Sequence, residues 1–243
     1  MTKVIQNFLP FYDERPNGAK VRALVLHCSA HAATDMIEVL RERELSSHYI
    51  IDTDGAVWQL VSETKRAWHA GESRWRGMHM LNQYSVGIEL CSLSLGQETY
   101  APAQLRSLIK LSRQIIRHYQ IPAVNVVAHS DIAPTRKPDP GIAFPWRMLA
   151  QKGVGCWYDI ADAEKMAEND VAILLAQIGY DVSDLAAASY AFCRHFIPSL
   201  VAIDKDVNHL VDNVYPSDFV LPQPYLPILK ACAYRYGRLK PRR

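Results

Sequence analysis

Short apolar runs in the first two thirds of the chain predict β-strands, because they are brief and are bounded by turn residues. The clearest is the unbroken run from Val21 to Leu26. A hairpin is predicted where two β-prone arms flank Asp54-Gly55, since glycine turns the chain easily. The predicted strands are 21–26, ending at His27; the two arms of the hairpin within 47–61; 85–90; and 125–128, ending at His129.

Apolar residues at helical spacing predict two helices among these strands. The first spans residues 34–43, with Thr34 or Asp35 as its N-cap, and the second spans residues 101–119. Residues 1–20 predict an extended arm, and residues 64–84 a loop rich in tryptophan, histidine, arginine and glycine. Because strands and helices interleave, the pattern predicts an α/β fold with a mixed central β-sheet flanked by helices.

The pattern changes near residue 158, after which helical spacing dominates. We therefore predict two domains, residues 1–158 and a small all-helical domain at 159–243. The predicted helices of the second domain are 163–179, 185–196, 205–211 and 227–236.

Composition narrows the class of protein. The 243 residues carry a net charge of only +2, which does not indicate a nucleic-acid partner. No apolar run is long enough to span a bilayer, and no signal peptide is recognisable at the start. The five cysteines are widely spaced and lack a CxxC pair, so we expect free thiols in a reducing compartment. A cytoplasmic location is the expectation that follows.

Two histidines and one aspartate predict a metal site. His27 and His129 each follow a strand, and Asp139 lies between two prolines in the loop after His129. Imidazole nitrogen and carboxylate oxygen are ligands that zinc prefers, and catalytic zinc sites use three protein ligands. The alternative is that both histidines are ordinary core residues and that Asp139 is a turn former.

Two further residues are candidates for catalysis. Glu89 is the one carboxylate in the apolar strand 85–90, where an unpaired charge is costly, so it needs a partner or faces a cleft. Beside a metal it would serve as a general base for hydrolysis; the alternative is a structural salt bridge. Lys137 precedes Asp139 by two residues, and its ammonium group could stabilise an oxyanion.

The loop after residue 67 combines aromatic rings with hydrogen-bond donors, which suits a ligand that is part sugar and part peptide. The alternative is a surface loop with a packed tryptophan. The candidate substrate-binding residues are His48, Trp68, His69 and Arg76.

Taken together, these segments resemble the zinc-dependent N-acetylmuramoyl-L-alanine amidases of the type-2 amidase and peptidoglycan-recognition-protein superfamily, and in particular its AmiD-like members. The resemblance covers residues 20 to 157 in family order, and residues 174–182 and 190–196 are similar to a peptidoglycan-binding module. The segments are Leu-Val-Leu-His27, Ser46-Ser-His48-Tyr, Ala67-Trp-His69-Ala-Gly71, Ser85-Val-Gly-Ile-Glu89-Leu, Val126-Val-Ala-His129-Ser-Asp, Lys137-Pro-Asp139-Pro-Gly141 and Phe144-Pro-Trp146.

The resemblance implies an amidase domain at 1–158 that binds Zn²⁺ through His27, His129 and Asp139. It also implies that Glu89 is the catalytic glutamate, that Lys137 assists at the transition state, and that residues 159–243 form a peptidoglycan-binding-like domain. The substrate would be peptidoglycan fragments, with intact or 1,6-anhydro muramic acid, in cell-wall turnover or recycling. AmiD-like relatives make the periplasm or outer membrane the alternative location.

Two other function classes stay open at this stage. A non-catalytic peptidoglycan-binding protein would bind muropeptides without cleaving them, and the intact set of predicted ligands argues against it. A nucleic-acid-binding protein would use the basic residues at 235–243, and the near-neutral net charge argues against that. The oligomeric state is not predicted.

Overall fold

The computed structural model describes residues 4–16, 18–201 and 213–239. Within them, six strands form a mixed central sheet in the order β1-β5-β4-β9-β3-β10. The β4–β5 pair is antiparallel, and the other neighbours are parallel. The strands are β1 Val4–Gln6, β2 Tyr12–Glu14, β3 Ala23–Ser29, β4 Tyr49–Ile51, β5 Val57–Gln59, β6 Lys65–Ala67, β7 Arg74–Trp75, β8 Met78–His79, β9 Ser85–Cys91 and β10 Val126–Ala128.

Strand β3 lies between β9 and β10 and aligns the residues that matter most. In the β3–β9 register, His27 is the partner of Glu89, so both side chains project from the same face of the sheet. In the β3–β10 register, Ala128 is the partner of Leu26, which brings the residue after β10 beside His27. Parallel pairing therefore places His27, Glu89 and His129 together, toward the carboxyl-terminal ends of β3, β9 and β10.

The helices cover both faces of this sheet. Helix α2 packs Leu108, Leu111 and Ile115 against buried side chains of β3, β4 and β9. A fully buried leucine contributes about 1.5–3 kcal/mol relative to an exposed one. The helices are α1 Ala33–Glu42, α2 Pro102–Tyr119, α3 His129–Ile132, α4 Trp146–Gln151, α5 Val171–Ile178, α6 Leu185–Phe196 and α7 Leu226–Arg238.

The C-terminal helices pack against the opposite face of the sheet from α2. Val25 and Val127 of the sheet share one hydrophobic cluster with Leu175 of α5, Phe192 of α6 and Cys232 of α7. The division of the chain at residue 158 stays a prediction, but buried side chains on its two sides form a common core.

Most of the predicted elements are confirmed. The mixed α/β fold is present, and the strands before His27 and His129, the hairpin and the long helix are found, with boundaries shifted by up to three residues. Gly55 in the hairpin turn has φ +88°, a conformation that glycine adopts at little cost. Helix α6 has the predicted bounds, and α7 extends the prediction for 227–236. The helix predicted at 205–211 lies outside the described residues.

Four details differ from expectation. Neither Thr34 nor Asp35 caps helix α1, because the helix begins one residue earlier, where the amide of Ala33 donates to the distant carboxylate of Asp52 (3.2 Å). The single helix predicted at 163–179 is wrong: a 3₁₀ turn at Ile160–Lys165 precedes an extended stretch, and α5 starts after its N-cap, Asp170. The N-terminal arm carries β1 and β2, and the loop 64–84 contains β6 to β8.

The cysteines and the helices bear on location only in part. All five cysteines are free and buried, as expected. Among the described residues, none of the helices combines the length and the apolar character that crossing a bilayer requires. The cytoplasmic location stays a prediction.

Candidate active site

Three predicted ligands converge at the ends of β3 and β10. His27 lies near the end of β3, His129 is the first residue of α3 directly after β10, and Asp139 lies in the following loop. Nδ1 of His27 is 2.9 Å from Nδ1 of His129, and Oδ2 of Asp139 is 3.3 and 3.2 Å from these two atoms. Two nitrogens and one oxygen therefore face a common point.

The loop that carries Asp139 is fixed by backbone contacts. The amide of Ser130 donates to the carbonyl of Asp139 (3.0 Å), which ties the loop back to α3. The hydroxyl of Tyr100 donates to the carbonyl of Pro140 (2.6 Å), the residue after Asp139. Asp139 is thus positioned by its neighbours, as a metal ligand must be.

The three residues fit a divalent metal such as zinc. Each imidazole contacts a protein partner with its other nitrogen: Nε2 of His27 is 2.9 Å from Nδ1 of His69, and Nε2 of His129 is 3.3 Å from the carbonyl of Ala70. Ligating histidines are typically oriented by such a partner. Within residues 4–16, 18–201 and 213–239, this trio is the one group of three or more His, Cys, Asp or Glu side chains placed to hold a metal.

The electrostatics of the trio suit a cation. Burial, reinforced by the neighbouring His129, lowers the pKa of His27 to about 4, which keeps the ring neutral and able to bind metal. Burial alone would raise the pKa of Asp139, but His129 and His27 lower it below its ordinary value. His27 therefore presents a neutral imidazole, and Asp139 a carboxylate, at neutral pH.

Glu89 lies beside the trio with an unsatisfied oxygen. Its Oε2 atom is buried and has no hydrogen-bond partner among the residues that the structure describes. Burial and the carboxylate of Asp139 raise the pKa of Glu89 to about 8, while the ammonium group of Lys137 acts to lower it. A half-buried carboxyl group with one buried oxygen that lacks a partner and with a raised pKa has the properties of a general acid–base catalyst.

The ring of His69 contacts that of His27, a member of the trio, and the ring of His48 in turn lies next to His69. His69 contacts His27 with one nitrogen and the hydroxyl of Ser85 with the other (3.2 Å). His48 is fully buried: its Nδ1 accepts from the amide of Gly87 (3.0 Å), so its Nε2–H donates to the carbonyl of Lys65 (3.1 Å). These positions argue against direct contact of His48 with a substrate and connect His69 to the predicted metal ligand.

The other two predicted substrate-binding residues lie in different surroundings. Trp68 is half-buried, and its indole N–H donates to the carboxylate of Asp13 (2.6 Å). Arg76 donates to the carbonyl of Ile178 at the end of α5 (2.8 Å), so its guanidinium group binds a helix terminus. No described contact joins Arg76 to the trio.

Several site residues carry no predicted role in the sequence. Asp131 lies two residues after His129, is fully buried, and accepts hydrogen bonds from Tyr180 (2.7 Å) and from the amide of Ala128 (2.8 Å). His195 lies 2.8 Å from the same carboxylate. The position of Asp131 in the motif that follows β10 is the one sequence feature that could have indicated a role for it. The sequence around Tyr180 and His195 does not indicate that they contact Asp131.

Comparison with known proteins identifies the family. The profile described as N-acetylmuramoyl-L-alanine amidase matches residues 17–142. The chain is 39% identical over 217 residues to the N-acetylmuramoyl-L-alanine amidase AmiD of Escherichia coli, covering 77% of this chain and 79% of AmiD.

Two solved structures are similar over nearly the whole chain. The complex of E. coli AmiD with anhydro-N-acetylmuramic acid-L-Ala-D-γ-Glu-L-Lys is 33% identical, has a TM-score of 0.72, and matches 92% of this chain and 93% of that one. AmpDh3 from Pseudomonas aeruginosa in complex with anhydromuramic pentapeptide is 29% identical, has a TM-score of 0.74, and matches 95% and 98%. With the matching profile and this degree of identity to AmiD, the chain belongs to the N-acetylmuramoyl-L-alanine amidase family.

Proposed function

We propose that the protein is a zinc-dependent N-acetylmuramoyl-L-alanine amidase that hydrolyses the amide bond between muramic acid and the L-alanine of the stem peptide. The observation that carries this proposal is the convergence of His27, His129 and Asp139 beside Glu89, whose Oε2 atom is buried and has no partner among the described residues. Two nitrogens and one oxygen match the ligand number and type of hydrolytic zinc sites.

Each residue has a distinct task in this reaction. Zinc, when bound by the trio, supplies the Lewis acidity that activates water and polarises the amide carbonyl. Glu89 accepts the proton of the attacking water and delivers it to the nitrogen of L-alanine, so that the carbon–nitrogen bond breaks and a free amine leaves. Lys137, a half-buried residue whose charge acts on Glu89, stabilises the negative charge that develops on the carbonyl oxygen.

For the substrate, we propose muropeptides whose sugar is 1,6-anhydro-N-acetylmuramic acid. The two similar structures named above contain anhydromuramoyl peptides, and this supports the same class of ligand here. Trp68 is the residue we retain for substrate contact, because its ring is half-exposed and it directly precedes His69 in the chain. The role of such an enzyme is the turnover or recycling of the cell wall.

The decisive experiment is an amidase assay on a purified anhydromuramoyl tripeptide with mass spectrometry of the products. We expect free stem peptide and free anhydro-sugar, loss of activity after treatment with a chelator, and recovery when zinc is returned. Glu89→Gln is the control for a contaminating amidase. Binding of the muropeptide without cleavage by the zinc-loaded protein would instead identify a recognition protein, and cleavage unaffected by chelation would contradict the metal assignment.

A further inference from the structure

A row of hydrogen bonds connects a backbone carbonyl to His27, one of the proposed metal ligands. The hydroxyl of Ser85 donates to the carbonyl of Leu81 (2.6 Å), and Ser85 Oγ is 3.2 Å from Nε2 of His69. Nδ1 of His69 is in turn 2.9 Å from Nε2 of His27. Ser85 is fully buried, so its hydroxyl exchanges no partner with solvent.

The direction of every hydrogen bond in this row follows from the carbonyl of Leu81, at the end of the row away from the metal site. A carbonyl only accepts, so the single hydroxyl proton of Ser85 is committed to Leu81. Ser85 Oγ must then accept from Nε2–H of His69. A neutral imidazole carries one proton, so Nδ1 of His69 is an acceptor, and it must receive the proton on Nε2 of His27. Nδ1 of His27 is therefore unprotonated, and it faces His129 and Asp139.

We propose that His69, backed by Ser85, is a positioning residue that fixes the proton of His27 on Nε2 and so leaves Nδ1 free to bind the metal. The proposal rests on the metal site assigned in the preceding section. It changes the assignment of His69 from substrate contact to orientation of a metal ligand, a role that requires no exposure of its ring.

The surrounding residues are arranged to keep this ring in place. A Cβ on Gly87 would lie 2.6 Å from Cγ and Nδ1 of His69, so the absence of a side chain there makes room for the ring against β9. The backbone amides of His69 and Ala70 both donate to Oδ1 of Asn82 (3.1 and 2.7 Å). The same segment serves the second ligand, because the carbonyl of Ala70 faces Nε2 of His129.

The test uses two nearly isosteric variants of the full chain. His69→Leu removes the acceptor, whereas His69→Asn retains an oxygen at the position of Nδ1. We expect zinc affinity, measured by competition with a chromophoric chelator, to fall 10–100-fold in His69→Leu and by less than about 3-fold in His69→Asn. The visible spectrum of the cobalt-substituted protein should change only in His69→Leu. His79→Leu is the control, since His79 is exposed on the same loop.

A second measurement has a wild-type arm that does not depend on the folding of any variant. Nitrogen-15 NMR of the metal-free wild-type protein should show His27 and His69 both protonated at Nε2, and Ser85→Ala should weaken this preference. Protonation of either ring at Nδ1, or equal zinc affinity of folded His69→Leu and His69→Asn, would overturn the proposal. A wild-type protein that binds no zinc would refute the proposed function instead. The NMR result would still show which nitrogen of His27 and of His69 carries the proton.

Discussion

The carboxylate of Asp131 and the imidazole of His195 meet inside the molecule, with Oδ2 2.8 Å from Nδ1 and both side chains at most 2% exposed. Asp131 belongs to the turn that begins with the predicted metal ligand His129, and His195 belongs to helix α6. His195 also stacks on Trp146 at 4.0 Å between ring centroids. This contact ties the C-terminal helices directly to the turn that supports the active site.

We predict that Asp131→Ala is strongly destabilising. The carboxylate accepts from Tyr180, His195 and the amide of Ala128, and its removal leaves these groups buried without partners. A loss of about 3–5 kcal/mol in the free energy of unfolding is expected from breaking such a buried group. Chemical denaturation measures it. Tyr180→Phe, which removes one hydrogen bond, should cost only about 1 kcal/mol, and similar losses for both variants would contradict this account.

Glu89 should be separable from the metal ligands. Glu89→Gln keeps the shape of the side chain but cannot accept the proton of water, so kcat should fall by about 10²–10⁴-fold while the zinc content is unchanged. His129→Ala should lose zinc and activity together. Zinc content by elemental analysis beside the product assay distinguishes the two classes, and an active Glu89→Gln would remove Glu89 from the mechanism.

Lys137 should act on the transition state without binding metal. In Lys137→Met the aliphatic stem is nearly preserved and the charge is lost, so we expect kcat to fall about 10²–10³-fold. The zinc affinity should change only a few-fold, because no ligand is removed. A variant with wild-type kcat and raised KM would instead indicate a role in substrate binding.

The pH dependence of stability in the metal-free protein should reveal the state of Glu89. Its pKa is about 8 in the folded protein and near 4.5 when unfolded, so the folded state binds more protons between these values. The contribution of Glu89 to stability is therefore fully present below pH 4.5 and is lost as pH rises through 8. Relative to Glu89→Gln, the wild-type protein should lose stability over this window in urea titrations. Parallel curves for the two proteins would contradict the raised pKa.

The loop of Asp139 should be sensitive to a side chain at Gly96. Gly96 has φ +74°, and a Cβ there would lie 1.9 Å from the carbonyl oxygen of Pro140, a backbone atom that cannot move without shifting Asp139. Gly153 has φ +79°, and no atom of the described residues lies within 4 Å of its would-be Cβ, so Gly153→Ala should show the conformational cost alone, about 1–2 kcal/mol. Gly96→Ala should cost more than this and weaken zinc binding, as thermal melts with and without zinc will show.

The strands and the loop that carry the candidate site residues could be predicted, because each is indicated by residues close to it in the sequence. Apolar runs end at His27 and His129, and proline flanks Asp139 on both sides, so the sequence pattern places the three residues in rigid strand-end or loop positions. The contact of His195 with Asp131 could not be predicted in this way, because 64 positions separate the two residues and neither stands in a pattern that names its partner. Tertiary contacts of this kind also explain the missed start of α1, where Asp52, the residue after β4, accepts from the amide of Ala33.

The adjacency of β3 and β10 has a consequence for how the protein would acquire the proposed metal. His27 and His129 are 102 positions apart in the chain, and they meet only after the sheet has closed over this long loop. A nascent or truncated chain that lacks β10 presents His27 without His129, so tight binding of the proposed zinc ion would require a completed sheet. Since a cation bound at the trio favours the native state over the unfolded chain, zinc supply would raise the thermal stability of the protein as well as its activity.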